Sequence, residues 1–213
     1  DNISLTQNLA DASISIAYDA PTSNLFAVKT NIWKDVNNLS LSTEDNLSSL
    51  IGNKSNYMAI DYDFTNDMQA RISFAQNKDD SIARSFISGI AYDSRPYKIQ
   101  LNIGQIIETD SFLGSKSSGI FQLADEDVVT KFYSFDFAYK LSDDTQILGK
   151  YAHAFTDVDV HRNSIFTNFE ELESNSMKFA LVKDFNIKHQ IGLSYSQPLR
   201  VNDGQLSIAV PVK

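Results

Sequence analysis

The residues best suited to chemistry stand between runs of alternating character. Asp157, Asp159 and His161 fall at i, i+2 and i+4 in the stretch DVDVH. On an extended segment that spacing puts all three side chains on one face, close enough to share a divalent ion. Oxygen-rich ligation favours calcium, while an imidazole suits a transition metal. The competing reading is an ordinary polar strand rim, and it is the simpler one. Asp125-Glu126-Asp127 is the densest carboxylate run, and Glu170, Glu171 and Glu173 form a looser one. The looser group reads as solvated loop charge. His153, His161 and His189 are scattered, and a hydrolase triad is defined by geometry rather than by the presence of Ser, His and Asp. No phosphate-loop, dinucleotide, zinc-peptidase or EF-hand pattern occurs. The expectation is therefore no catalytic residue and no cofactor, with a divalent ion at Asp157, Asp159 and His161 as the one metal candidate.

Composition narrows the classes further. The chain has 213 residues, a formal net charge of -9 and 42% hydrophobic residues. That content suits a folded domain, and the acidic balance speaks against a nucleic-acid partner, which needs concentrated Lys and Arg. Cysteine is absent, which excludes disulfides, thiolate zinc and a Cys nucleophile. No basic-then-apolar leader opens the sequence, and no run approaches the length of a membrane-crossing helix. A membrane-crossing barrel of strands is untouched by that observation.

The elements that must position any site are strands, because period-two alternation recurs along the chain. It runs through residues 12 to 18, 25 to 33, 58 to 64, 68 to 75, 86 to 92, 98 to 107, 131 to 141, 147 to 155, 177 to 181, 191 to 195 and 206 to 210. This makes eleven strands, with a further one at Ile3 to Leu5. Leu47 to Ile51 and Phe166 to Leu172 are expected to form a helical turn or two. Short connections are expected at 19 to 24, 65 to 67, 94 to 96, 142 to 145 and 184 to 186, with the last, Pro198 to Gly204, somewhat longer. Longer connections alternate with them at 34 to 56, 78 to 83, 108 to 130 and 157 to 173. An up-and-down meander puts alternate turns at one end, so the chain has a short-turn end and a long-loop end. The expected fold is all-β: a single domain over 1 to 213, an antiparallel meander closing as a barrel of about 10 to 12 strands. The domain is expected to be a fragment of a larger protein.

Alternation does not say where the oily face points. Bulky residues face lipid in a membrane barrel and the core in a soluble one. Tyr18, Tyr62, Tyr92, Tyr139 and Tyr195 near strand ends on the apolar side suggest an interfacial aromatic girdle. The opposite side repeatedly carries charge, as at Asp61, Asp63, Arg71, Lys98, Asp136, Lys140, Lys150 and Lys178. That suits a wet lumen and a solvated outer sheet equally. Several alternating runs cover only three or four positions, which leans against a membrane crossing of roughly 9 to 11 residues.

Two stretches also carry a resemblance. SGIFQLADEDVV, from Ser118 to Val129, followed by KFYSFDFAYKL, and GLSYSQPLRVNDGQLSIAVPV, from Gly192 to Val212, resemble the C-terminal autotransporter-like region of Gram-negative secreted or surface subtilisin-like serine peptidases. The resemblance covers the second half of the chain. It implies a translocator-like β region following a peptidase domain, and it supplies no catalytic residue, since no GTSMA-like nucleophile motif is present. The chain departs from the usual transporter barrel in lacking a final strand that ends in Phe or Trp.

The leading functional expectation is a non-catalytic, outer-membrane-associated or translocator-like barrel of a secreted or surface protein. Its partners would be outer-membrane lipid and an upstream passenger or peptidase domain. The rival is a soluble periplasmic or extracellular accessory or binding module. A third reading is an enzyme or metal-binding protein using its loop carboxylates.

Overall fold

In the computed structural model the described residues are 3–25, 47–52, 54–77, 83–109, 111–112, 127–158, 160, 164–186 and 189–209. Most of the alternating runs become long strands, because side chains that alternate in character can satisfy two different faces of one sheet. They are β1 (Ile3–Leu9), β2 (Ala12–Pro21), β3 (Lys54–Thr65), β4 (Met68–Asn77), β5 (Ala83–Ser94), β6 (Tyr97–Glu108), β7 (Val128–Lys140), β8 (Thr145–Asp157), β9 (Phe166–Phe169), β10 (Leu172–Asn186), β11 (His189–Asp203) and β12 (Leu206–Ile208). Ten of them form one antiparallel meander in the order β1-β2-β3-β4-β5-β6-β7-β8-β10-β11, and β12 pairs with β9 separately. A 3-10 turn at Thr22–Leu25 and a single helical turn, α1 (Ser48–Ile51), lie between β2 and β3.

The short turns are built by local polar chemistry. Between β7 and β8, the Ser142 and Thr145 hydroxyls both donate to Asp144 Oδ1, at 2.5 and 3.0 Å, and the Leu141 N–H donates to the Thr145 carbonyl at 2.9 Å. Each short turn is also stitched to its neighbour. The Asp63 N–H donates to the Asp11 carbonyl, Asp93 to Asp67, Lys140 to Pro96, and Asp184 to Asp144. Five two-strand units thus share one short-turn end. β1 consequently starts, and β11 finishes, at the opposite, long-loop end.

The sheet curls. Ten flat strands at about 4.8 Å spacing would span roughly 43 Å. Yet one connected buried cluster takes Ala75 from β4, Ala83 and Ile87 from β5, Ile106 from β6, Phe132 from β7, and Ala152 and Ala154 from β8. Leu25, Leu47, Leu50 and Ile51 belong to the same cluster, and Tyr57 of β3 and Leu199 of β11 pack against it. A surface that brings β3 and β11 to one cluster is concave. Among the described residues no register joins β1 to β11, and β1 is exposed along its whole length.

Several expectations need correction. Residues 19 to 24 are not a hairpin turn: the chain continues as β2 to Pro21 and then makes the 3-10 turn, and the first tight turn is Ala10-Asp11. The strand at Ile3 to Leu5 is real and longer. The proposed strand at 25 to 33 falls, from residue 26 onward, outside the described residues. The helical turn at Leu47 to Ile51 is present, whereas Phe166 to Leu172 gives strand β9 instead, because β12 offers it a pairing edge. Pro198 to Asp203 is strand, not connection, and the last strand, β12, joins β9 at the long-loop end rather than the main sheet.

Candidate functional site

The functional geometry is that of the two faces, built up by register. On β7, Phe132, Ser134, Asp136 and Ala138 are buried, while Tyr133 and Phe135 are 44% and 37% exposed. Phe137 and Tyr139 share the outward parity. From β6 to β10 pairing carries this across the sheet without a break in phase: Phe135 lies opposite Leu101 on β6 and Tyr151 on β8, and Tyr151 opposite Met177 on β10. On β3 to β5 the outward side chains are Met58, Ile60, Tyr62 and Phe64, then Ile72 and Phe74, then Phe86, Ile90 and Tyr92. The bulky apolar residues therefore sit on the convex face. Four successive outward positions, such as Tyr133 to Tyr139, cover roughly 20 Å along a strand at about 3.4 Å per residue. A contiguous apolar surface of this kind is outside the normal range for a soluble monomer.

Aromatic residues edge the band. At the short-turn side Tyr97 stacks on Tyr139 with centroids 5.1 Å apart, and Tyr62 meets Phe64 edge-on at 5.0 Å. Toward the long-loop side His153 stacks on Tyr133 at 5.4 Å and meets Phe155 edge-on at 4.6 Å. Its Nε2 lies 3.8 Å from Glu173 Oε2. Of the five tyrosines singled out in the sequence, Tyr62, Tyr92 and Tyr139 lie toward the short-turn end and Tyr18 toward the other. Tyr195 lies on outward-facing β11 positions one step in from the short-turn rim.

The concave face is polar at the short-turn half. Asp61 stands opposite Arg71, whose Nε and Nη2 donate to its two carboxylate oxygens at 2.7 and 2.9 Å. Asp136 stands opposite Lys150, 3.6 Å away. Gln69 Nε2 donates to Asp63 at 2.8 Å. Gln100, Asn102 and Ser134 form a buried chain of hydrogen bonds at 3.1 and 3.0 Å. Register makes continuous inner rows of these groups: Lys178, Lys150, Asp136, Gln100, Ala91, Gln69 and Asp63 form one. The buried carboxylates of Asp61 and Asp136 are tolerated here because each faces an opposite charge.

The metal candidate is not assembled. Asp157 ends β8 as an exposed residue, and Asp159 and His161 lie outside the described residues. Among the described residues no group of three His, Asp or Glu is placed to hold a metal ion. Asp125 and Glu126 also lie outside them, while Asp127 accepts a 2.6 Å hydrogen bond from the Thr109 hydroxyl. Glu170 and Glu171 are exposed between β9 and β10, as expected, whereas Glu173, also exposed, belongs to strand β10 rather than to a loop.

What sequence reasoning missed is the alanine content of the polar parity. Ala17, Ala59, Ala75, Ala91, Ala138, Ala152, Ala154 and Ala180 are all buried on the concave side. Small residues fit the crowded inside of a curled sheet and bulky ones the outside, so this asymmetry is a legible sign of direction. The strand lengths also answer the earlier objection to a membrane crossing for the central strands, though β1 has only 7 residues. β3 and β5 to β8 run 12 or 13 residues, because polar end positions extend each strand beyond its apolar core.

No family model and no curated protein matches the chain. Among solved structures it is similar to the crystal structure of OccAB4 from Acinetobacter baumannii, at 10% identity and a TM-score of 0.37, covering 95% of this chain. The chain spans about 60% of that protein's length, and the likeness is too distant to bear on function.

Proposed function

We propose that this chain is a non-catalytic, membrane-embedded β-barrel module of the outer-membrane type, with its convex apolar face in lipid. The observation that carries the reading is direction: Tyr133 and Phe135 point out while Ser134 and Asp136 point in, and the phase holds from β3 to β10. A soluble barrel would bury the aromatic parity and solvate the charged one.

Closure follows from the same setting. In hydrocarbon an open sheet edge leaves backbone donors and acceptors unsatisfied at several kcal/mol each. Ten strands is an even number, so β1 and β11 run in opposite directions and are suited to antiparallel pairing. β1 carries most of the required pattern, with Ile3, Leu5 and Leu9 in the outward phase, interrupted by Gln7, and Ser4, Thr6 and Asn8 in the inward one. The module would serve as the translocator-like or surface-anchoring part of a larger protein, with an upstream passenger or peptidase domain as its partner.

The natural absence of cysteine makes the test clean. Single-cysteine variants at consecutive positions 133 to 138, refolded into vesicles, should alternate between contact with a lipid-phase quencher and shielding from it. Purification as a monodisperse soluble protein without detergent would sink the reading.

A further inference from the structure

The connection between β2 and β3 is seated against the inner wall at both of its described ends. Leu25 of the 3-10 turn and Leu47, Leu50 and Ile51 at α1 are all buried, and they pack among inward residues of β4 to β8. Polar contacts fix the backbone there. Arg71 Nη1 donates to the Asn24 carbonyl at 2.8 Å while the rest of its guanidinium holds Asp61, and the Ser73 hydroxyl donates to the Leu25 carbonyl at 3.4 Å. The entry and exit are shaped as well. Asp19, at φ 55, receives Lys54 Nζ at 3.1 Å and gives its N–H to Asn56 Oδ1 at 3.1 Å, and Gly52 leaves the helical turn at φ 99. The cluster occupies the inner rows next to the charged ones, on the long-loop side. Its strand contributions include Phe132, Ile87 and Ile106, which replace the charge and amide of the rows below with apolar surface.

We infer that Thr22–Leu25 and Leu47–Ile51 form an internal plug that closes the barrel interior to solutes at its long-loop half. The inference rests on the membrane-barrel reading and goes beyond it by assigning the interior a closed state. An apolar block in a polar conduit stops ions by excluding water as well as by filling space. The charged rows end against it, so the interior is a blind polar vestibule open toward the short turns. Arg71 is the positioning residue, because one guanidinium ties the inner wall to the plug.

The test uses the full chain in lipid. Flotation with vesicles is measured first, then conductance across a planar bilayer. Wild type should float and stay near background conductance. Leu50→Asp, which wets the plug, and Arg71→Ala, which cuts its tether, should each raise conductance about tenfold or more if they retain the heat-dependent gel shift of a folded barrel. A floating wild type with steady ohmic conductance overturns the plug alone, and this outcome needs no variant. Folded variants as silent as wild type overturn it too. Failure to float removes the membrane reading and the plug with it.

Discussion

Asp61 and Arg71 show how one residue pair reports on the whole design. Their side chains are 7% and 16% exposed, and the guanidinium satisfies both carboxylate oxygens and a third acceptor, the Asn24 carbonyl. Removing one member of such a pair leaves an uncompensated charge, so Arg71→Ala should lower stability by roughly 3 kcal/mol in denaturant unfolding. Arg71→Lys should recover only part of it, since an ammonium cannot make the fork. At the solvated end, Asp144 behaves differently. Hydrogen bonds from Ser142 and then Thr145, aided by the charge of Lys183, hold its carboxyl below the ordinary aspartate value. A depressed folded value means that the turn's support is present above the unfolded value and fades as pH falls through the folded one. NMR titration should find the Asp144 carboxyl below ordinary aspartate, and Ser142→Ala should move it upward.

At the scale of the element, the glycines separate the two faces. A Cβ on Gly104 would meet the Phe86 carbonyl oxygen at 2.5 Å and the Phe132 ring at 2.8 Å, both fixed within a packed sheet. At Gly149 a Cβ would come nearest the far edge of the Phe137 ring, closer still, but that half-exposed side chain on the convex face can swing away where a backbone carbonyl cannot. Gly104→Ala should therefore cost far more folding yield than Gly149→Ala, read as the fraction of heat-modifiable barrel after refolding. Strand existence was legible for the same reason that direction was not. Phe135, Asp136 and Phe137 announce a strand by alternating, but inverting the sheet leaves the alternation unchanged. The alanines broke that symmetry and went unread. Two local errors have separate causes. Asp19 to Asn24 looked like turn chemistry, but its polar residues serve a bulged strand end and a 3-10 turn pinned by Lys54 and Arg71. Phe166 to Phe169 became a strand only because β12 returns from far along the chain, a pairing that local pattern cannot reveal. Of the expected site, Asp157 alone lies among the described residues, and the polar groups that do come together, Asp61, Arg71, Asp136 and Lys150, are joined by register between strands.

For the whole molecule, the membrane reading makes position on the convex face the dominant variable. Phe135→Arg should cost about 2–4 kcal/mol of folding into bilayers if that side chain lies near mid-depth. An equal change at Phe185, beside the short turn, should cost well under that. Deleting Ile3–Leu9 should prevent closure and leave a sheet that aggregates rather than inserts, seen as loss of the gel shift. The meander's handedness in sequence has one more outcome. Because β1 sets out from the long-loop end and β11 comes back to it, with β12 held there by β9, anything spliced ahead of Ile3 or behind Ile208 shares a compartment with the long loops. On the membrane reading, an epitope at either end would be displayed on one side of the bilayer, and the five tight turns would look out on the other.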